Sequence, residues 1–235
     1  MSGLPGGGFG VLPNGQTGME GAMAISTPIG FSLSDFHGSF GVNSLSFNSA
    51  FTGINIFHRS TAANSNGVAD AMIGFRAGRY GSFSMSYEII SSVLDQVQNF
   101  QYQAPIGGDH YGVSVGVQDI QNHGGASGEG TPASESDNSR SVFIAATDYV
   151  TKNTYVTLGK GDRRFKNGIF GNVSYGPTPR TKLIGEYDTY GWNYGVAYGL
   201  GPISWSPFRD RKFEPVITAG MVAGKRAYWM LNFPF

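Results

Sequence analysis

Alternation of large and small side chains at a period of two recurs along this chain, and it constrains the fold more than any other feature. In Tyr111–Gln118 one face carries Tyr111, Val113, Val115 and Val117, and the other Gly112, Ser114, Gly116 and Gln118. Ser82–Ile89 sets Phe83, Met85, Tyr87 and Ile89 against Ser82, Ser84, Ser86 and Glu88. Trp192, Tyr194, Val196 and Tyr198 lie opposite Asn193, Gly195, Ala197 and Gly199, and 169–175 repeats the pattern. Successive side chains of a strand point to opposite faces, so these segments read as strands with two chemically different sides. Weaker alternation at 17–27, 37–47, 50–58, 67–77, 140–150, 153–160, 180–189, 213–222 and 225–235 brings the candidates to thirteen. Turn signals such as Asn64-Ser65-Asn66-Gly67 and Lys166-Asn167-Gly168 separate them. Sustained helical periodicity is absent. Residues 89–100 come nearest and read as a short helix or an irregular strand end, and 95–109 as a Gln-rich irregular stretch.

The second face decides between architectures. In a soluble sandwich it meets water and collects Lys, Glu, Arg and Thr; here it holds mostly Gly, Ser, Asn, Ala and Gln. Charged residues are 14% of the chain, against about 25% in ordinary soluble domains. Small polar residues suit the inside of a closed barrel, and an apolar outer face suits lipid. The expected fold is therefore all-β: a closed, antiparallel, up-and-down transmembrane barrel of about twelve strands, with roughly ten to fourteen compatible with strands of about 9–11 residues. One domain spans 1–235, with a Gly/Pro-rich segment at 1–16 and a long exposed loop at 122–139, NHGGASGEGTPASESDNS. Cysteine is absent, which excludes a disulfide scaffold and thiolate chemistry. No apolar run reaches the roughly 18 residues of a membrane helix. Sixteen basic residues balance sixteen acidic ones, which gives no footprint for nucleic acid. No signal peptide is readable in this numbering, as expected if one was removed or was never present.

At the C-terminus Ala227, Trp229, Leu231, Phe233 and Phe235 share one face and the chain ends on an aromatic residue. That ending resembles the assembly signal of bacterial outer-membrane barrels, with the barrel-assembly machinery engaging Phe235. By parity, Phe83, Tyr87, Tyr111, Trp192, Tyr194, Tyr198, Trp229, Phe233 and Phe235 face lipid or form interfacial girdles. Asp70, Arg76, Glu88, Asp119, Lys182, Glu186 and Asp188 take the other parity and point into the lumen. Buried charges need partners, so they are expected either to form a salt-bridge network or to line a path for a polar glycan. Residues 1–139 hold 3 basic and 10 acidic side chains, and 140–235 hold 13 and 6, which would set acidic and basic walls opposite each other. The four histidines, His37, His58, His110 and His123, lack metal-ligand spacing. Asp109-His110 has the form of a base with its orienting carboxylate, yet no nucleophile motif accompanies it. No catalytic residue, metal site or cofactor is expected.

Six segments in order resemble one family. YGVSVGVQDI (111–120), FIAATDY (143–149), TLGKG (157–161), GIFGNVSY (168–175), IGEYD (184–188) and NYGVAYGL (193–200) are similar to strands of the YjbH-like exopolysaccharide-biosynthesis barrels. The resemblance implies an outer-membrane barrel of a Gram-negative-type bacterium. Its implied role is non-enzymatic support of exopolysaccharide export or cell-surface organisation, with membrane lipid, polysaccharide or export proteins as partners. Residues alone leave two other readings open: a small general pore, and a soluble β-sandwich carbohydrate-binding module.

Overall fold

A computed structural model describes residues 3–45, 67–90, 95–122, 140–203 and 213–235. It is a closed barrel of twelve strands in which each strand pairs antiparallel with its sequence neighbours and β1 pairs with β12. The strands are β1 Gly38–Leu45, β2 Gly67–Arg76, β3 Ser82–Ile90, β4 Asp95–Gln103, β5 Tyr111–Gln118 and β6 Ser141–Thr151. They continue with β7 Thr154–Gly161, β8 Ile169–Thr178, β9 Thr181–Tyr187, β10 Trp192–Gly199, β11 Val216–Val222 and β12 Arg226–Pro234. Closure runs through the residues flanking the last ladder: Gly38 N–H donates to the Phe235 carbonyl at 3.0 Å, and Phe235 N–H to the Gly38 carbonyl at 2.9 Å. No strand edge is left unpaired, which removes the usual aggregation liability of a sheet.

Eleven of the thirteen candidate segments are strands. The segment 50–58 lies outside the described residues, as does 123–139 of the expected long loop. Two readings are corrected. Residues 95–103 are neither helical nor irregular: they are β4, whose Val97, Asn99 and Gln101 face inward while Phe100 and Tyr102 face outward. Glutamines on both faces had blurred that alternation. Residues 17–27 are not a strand of the barrel; they lie within it.

One end of the barrel, the terminal end, holds the start of β1 and Phe235. Connections there include the two-residue turns 152–153 and 179–180 and a longer stretch at 200–215. The opposite, loop end holds the end of β1, the start of β2, the end of β5 and the start of β6. The β11–β12 turn at that end is tight because Ala223 and Gly224 take φ of 52° and 62°, with Lys225 N–H donating to Val222 O at 3.0 Å. Two successive left-handed residues are the mark of a type I′ hairpin, whose twist matches that of the strands it joins.

The two faces separate as parity requires. Val142, Ile144, Leu158, Ile169, Val173, Trp192, Tyr194 and Val196 are exposed on the outside. The inner positions of the same strands, among them Ser114, Thr147, Ser174, Lys182, Glu186 and Asn193, are buried. A twelve-stranded barrel is wider than the eight-stranded kind that its own side chains fill. Here the difference is made up by the chain's own N-terminus.

Candidate functional site

Residues 3–34 fill the lumen. Leu4, Phe9, Val11, Met23, Ile25, Ile29, Phe31 and Leu33 are at most 1% exposed, although the segment has no helix and no strand longer than an isolated bridge. Its path can be followed from its partners. Gly3 reaches Glu88, and Leu4 packs with Phe143, Phe165 and Phe170, all at the loop end. The chain then descends to a hairpin at 12–17 near the terminal end, where Leu12 N–H donates to Gln16 O at 2.8 Å. It rises to Ser26 and Thr27 beside Glu186, descends again past Gln101, Thr147 and Ser84, and leaves into β1. The first two passes pair through Val11 and Ala22, which exchange N–H to carbonyl bonds at 2.9 Å in both directions.

An irregular backbone carries unsatisfied N–H and C=O groups, and burying them without partners is costly. The inward-facing polar side chains of the barrel supply those partners. Glu186 does most. Its carboxylate accepts the N–H groups of Ile25 (2.8 Å), Ser26 (3.0 Å) and Thr27 (3.1 Å), the hydroxyls of Ser26 (2.6 Å) and Thr27 (2.9 Å), and Asn193 Nδ2 (2.9 Å). Lys182, four residues away on the same face of β9, donates to the carbonyls of Met19, Glu20 and Gly21 at 3.1, 2.8 and 2.5 Å. Three consecutive carbonyls around one ammonium and three consecutive N–H groups around one carboxylate use both signs of the peptide dipole. Around the remaining wall, Gln101 Nε2 donates to Ile29 O and Phe31 O, Ser114 to Ile29 O, and Thr218 to Gly8 O. Thr147, Ser84, Gln103 and Ser174 accept the N–H groups of Gly30, Leu33, Ser32 and Met23.

Glycine on both sides makes the fit close. A Cβ at Gly112 would meet the Phe31 ring at 2.5 Å and the Gly30 carbonyl at 2.7 Å, and a Cβ at Gly74 would strike the backbone and side chain of Leu33. In each case the three nearest atoms all belong to the inner segment. The glycine-rich composition thus reflects a wall and a filling that touch backbone to backbone, as well as turns.

The charged residues expected in the lumen are placed as follows. Asp70 and Glu88 are direct cross-strand partners on β2 and β3. Glu88 is buried, accepting Gly3 N–H at 2.7 Å and Asn99 Nδ2 at 2.6 Å. Lys182 and Glu186 are buried on β9, across the barrel from β3. Asp188 is half-buried at the loop end, where it accepts the Tyr190 and Gly191 N–H groups and Asn193 Nδ2 at 2.9–3.0 Å. Asp119 is buried just past β5, and its N–H donates to Asn99 Oδ1 at 3.0 Å. Arg76 sits exposed at the terminal end and pairs with Asp35 at 3.0 Å, the one ion pair between described residues. Among the described residues the expected salt-bridge network of lumen charges is corrected: Glu88, Lys182 and Glu186 bond to backbone groups of 3–34, because the inner segment separates the walls, while Asp188 bonds to its own turn and Asn193. Of the expected glycine- and proline-rich opening, 1–16, residues 3–16 are the first half of the segment that fills the lumen.

Phe83, Tyr87, Tyr111, Trp192, Tyr194, Tyr198, Trp229 and Phe233 lie on the outer face, and Phe235 sits at the terminal end against Phe213. Phe40 and Phe233 stack across the closing seam with centroids 4.9 Å apart. Asp109 and His110 lie in the exposed connection between β4 and β5. Asn193, Thr147, Gln101, Ser114 and Ser174 were legible only as generic inner-face residues; their parity was visible and their partners were not.

No family model matches the chain, and no curated protein matches it. Among solved structures it is similar to one described as a KdgM porin, with a TM-score of 0.47, 11% identity, and coverage of 84% of this chain and 98% of that one. It is also similar to a NanC porin structure, with a TM-score of 0.42, 11% identity and the same coverage of both chains. Likeness at this level does not carry a functional argument.

Proposed function

We propose that this chain is an outer-membrane barrel of the pore type, held shut by its own residues 3–34. Supporting the membrane reading are an outer face of exposed Val, Ile, Leu, Tyr and Trp, closure without a free edge, and a polar inner face. The terminal end, with its two-residue turns 152–153 and 179–180, faces the periplasm and the loop end faces outward. The observation that carries the gated reading is the mode of attachment. The filling is held by apolar packing and by side chain to backbone hydrogen bonds, Glu186 and Lys182 foremost, rather than by a continuous sheet with the wall. Such bonds can be exchanged for water one by one, so the filling can leave while the barrel ladder stays intact.

Polysaccharide export, as the family resemblance implies, would use the same route. A glycan path lined by Glu88, Lys182 and Glu186 exists only once 3–34 has moved.

Planar-bilayer recording tests the proposal. The full chain should insert and stay closed apart from rare openings, whereas a chain lacking residues 3–34 should carry steady current. Identical conductance from the two proteins would refute it. Detergent-dependent extraction and heat-modifiable gel migration separate the barrel from a soluble β-sandwich beforehand.

A further inference from the structure

The outer face of the barrel is not uniformly covered. Between β7 and β10 lies a groove of about 330 Å³, whose walls include Leu158, Ile169, Val173, Tyr187 and Trp192. Its floor is two glycines, Gly171 and Gly185, both of outward parity on adjacent strands. A Cβ at Gly185 would meet nothing within 4 Å, so no packing within the barrel accounts for glycine there. The groove crosses three inter-strand gaps, about 14 Å at the usual strand spacing. Ile169, Leu158 and Trp192 on its rim are about 60% exposed, at 60%, 63% and 58%.

Cations border the groove on the side nearest the loop end. Lys160, exposed on β7, is the cross-strand partner of Ile169. Lys166, in the adjoining β7–β8 connection, holds its Nζ 3.9 Å from the centroid of the Tyr190 ring, above the β9–β10 turn. Farther from the groove, toward β5 and β6, Arg163 Nη1 donates to the Arg140 carbonyl at 2.8 Å and Arg140 Nε to the Ile120 carbonyl at 3.0 Å. The nearby Asp162 is turned to the backbone, accepting Val142 N–H at 2.7 Å. Tyr187, Tyr190 and Trp192 cluster at this level, the depth at which barrels place interfacial aromatics.

We infer that this groove and its basic rim form a site for a phosphorylated, multiply acylated glycolipid of the lipid A type: one acyl chain lies over Gly171 and Gly185, and the phosphates rest on Lys160 and Lys166. Charge complementarity selects a headgroup bearing more than one phosphate, because Lys160 and Lys166 together exceed what a single phosphodiester neutralises. The loop end faces outward under the proposed orientation, so the lipid comes from the outer leaflet. The inference rests on the membrane reading above.

The test is native mass spectrometry of the full chain in detergent, with hexa-acylated bisphosphorylated lipid A, phosphatidylglycerol or phosphatidylcholine added. Wild type should retain lipid A at least tenfold more than phosphatidylglycerol, and phosphatidylcholine least. Gly185→Leu, which fills the groove, and the double variant Lys160→Gln/Lys166→Gln should each lose that preference, while Lys225→Gln in the β11–β12 turn should keep it. Equal retention of phosphatidylglycerol, or full retention by the double variant, would overturn the site. Migration on gels keeps the two readings apart. A protein that is not heat-modifiable fails the membrane reading before any lipid is added, and a heat-modifiable barrel that ignores lipid A fails this one alone.

Discussion

Replacing Glu186 by Ala is the sharpest perturbation of the proposed gate. The carboxylate receives three backbone N–H groups and two hydroxyls from Ile25, Ser26 and Thr27. Hydrogen bonds to a charged group contribute about 1.5–3 kcal/mol each, so a bare sum over the three N–H bonds is about 5–9 kcal/mol. Two effects reduce it. The variant no longer buries a charge, and the freed N–H groups reach water once the segment undocks. A net loss of about 3 kcal/mol in docking is a reasonable working value, and at about 1.4 kcal/mol per decade it raises the undocked population more than a hundredfold. Open probability in planar bilayers reads this ratio directly, with wild type as the reference. Gln at the same position should behave similarly, since its amide presents N–H to N–H where a second oxygen was. The barrel itself should survive, because the backbone partners of Glu186, Asn172 and Asn193, belong to the ladder and not to the filling. An open probability within twofold of wild type, from a protein that remains heat-modifiable, would refute the latch.

Other outcomes follow from the same geometry. Lys182→Met removes the donor to the carbonyls of residues 19–21 and should make the adjoining hairpin at 12–17 sensitive to protease added at the terminal end, while the wild-type hairpin resists cleavage. Gly112→Val or Gly74→Val should expel the filling and leave the barrel folded, because the nearest obstructing atoms all belong to residues 30–33; steady current with retained heat-modifiability is the expected reading. Deleting Phe235 removes the reciprocal bonds to Gly38 at the closing seam and should lower the yield of assembled barrel in membranes several-fold, measured as the heat-modifiable fraction. Truncation of the outer aromatic Trp192 to Ala should leave conductance unchanged, since its ring lies on the exposed face.

Parity carried the fold. A strand has only two faces, and local sequence states which residues share one, so β3, β5, β8, β10 and β12 could be assigned faces residue by residue. β4 escaped because Gln96, Gln98, Gln101 and Gln103 put similar chemistry on both sides of the strand. Residues 17–27 misled for the opposite reason. Ala22, Ala24, Met19, Met23 and Ile25 gave a weak alternating pattern, yet every one of them is buried, since a segment enclosed by a wall has no solvent or lipid side. The inward direction of Lys182 and Glu186 was legible, and the nature of their partners was not.

Sequence by itself determined a closed all-β barrel with an apolar exterior, a small polar interior and an aromatic last strand, because each of these is a property of neighbouring residues at a spacing of two. Tertiary structure alone decided that the interior is full. Ser26 and Glu186 are 160 residues apart, Gly8 and Thr218 are 210, and no local pattern links them. The weak alternation at 17–27 carries no information about its place, since the backbone of the inner segment is satisfied largely by side chains of the wall that encloses it. Only once twelve strands have set the width of the lumen is there a space that residues 3–34 can occupy.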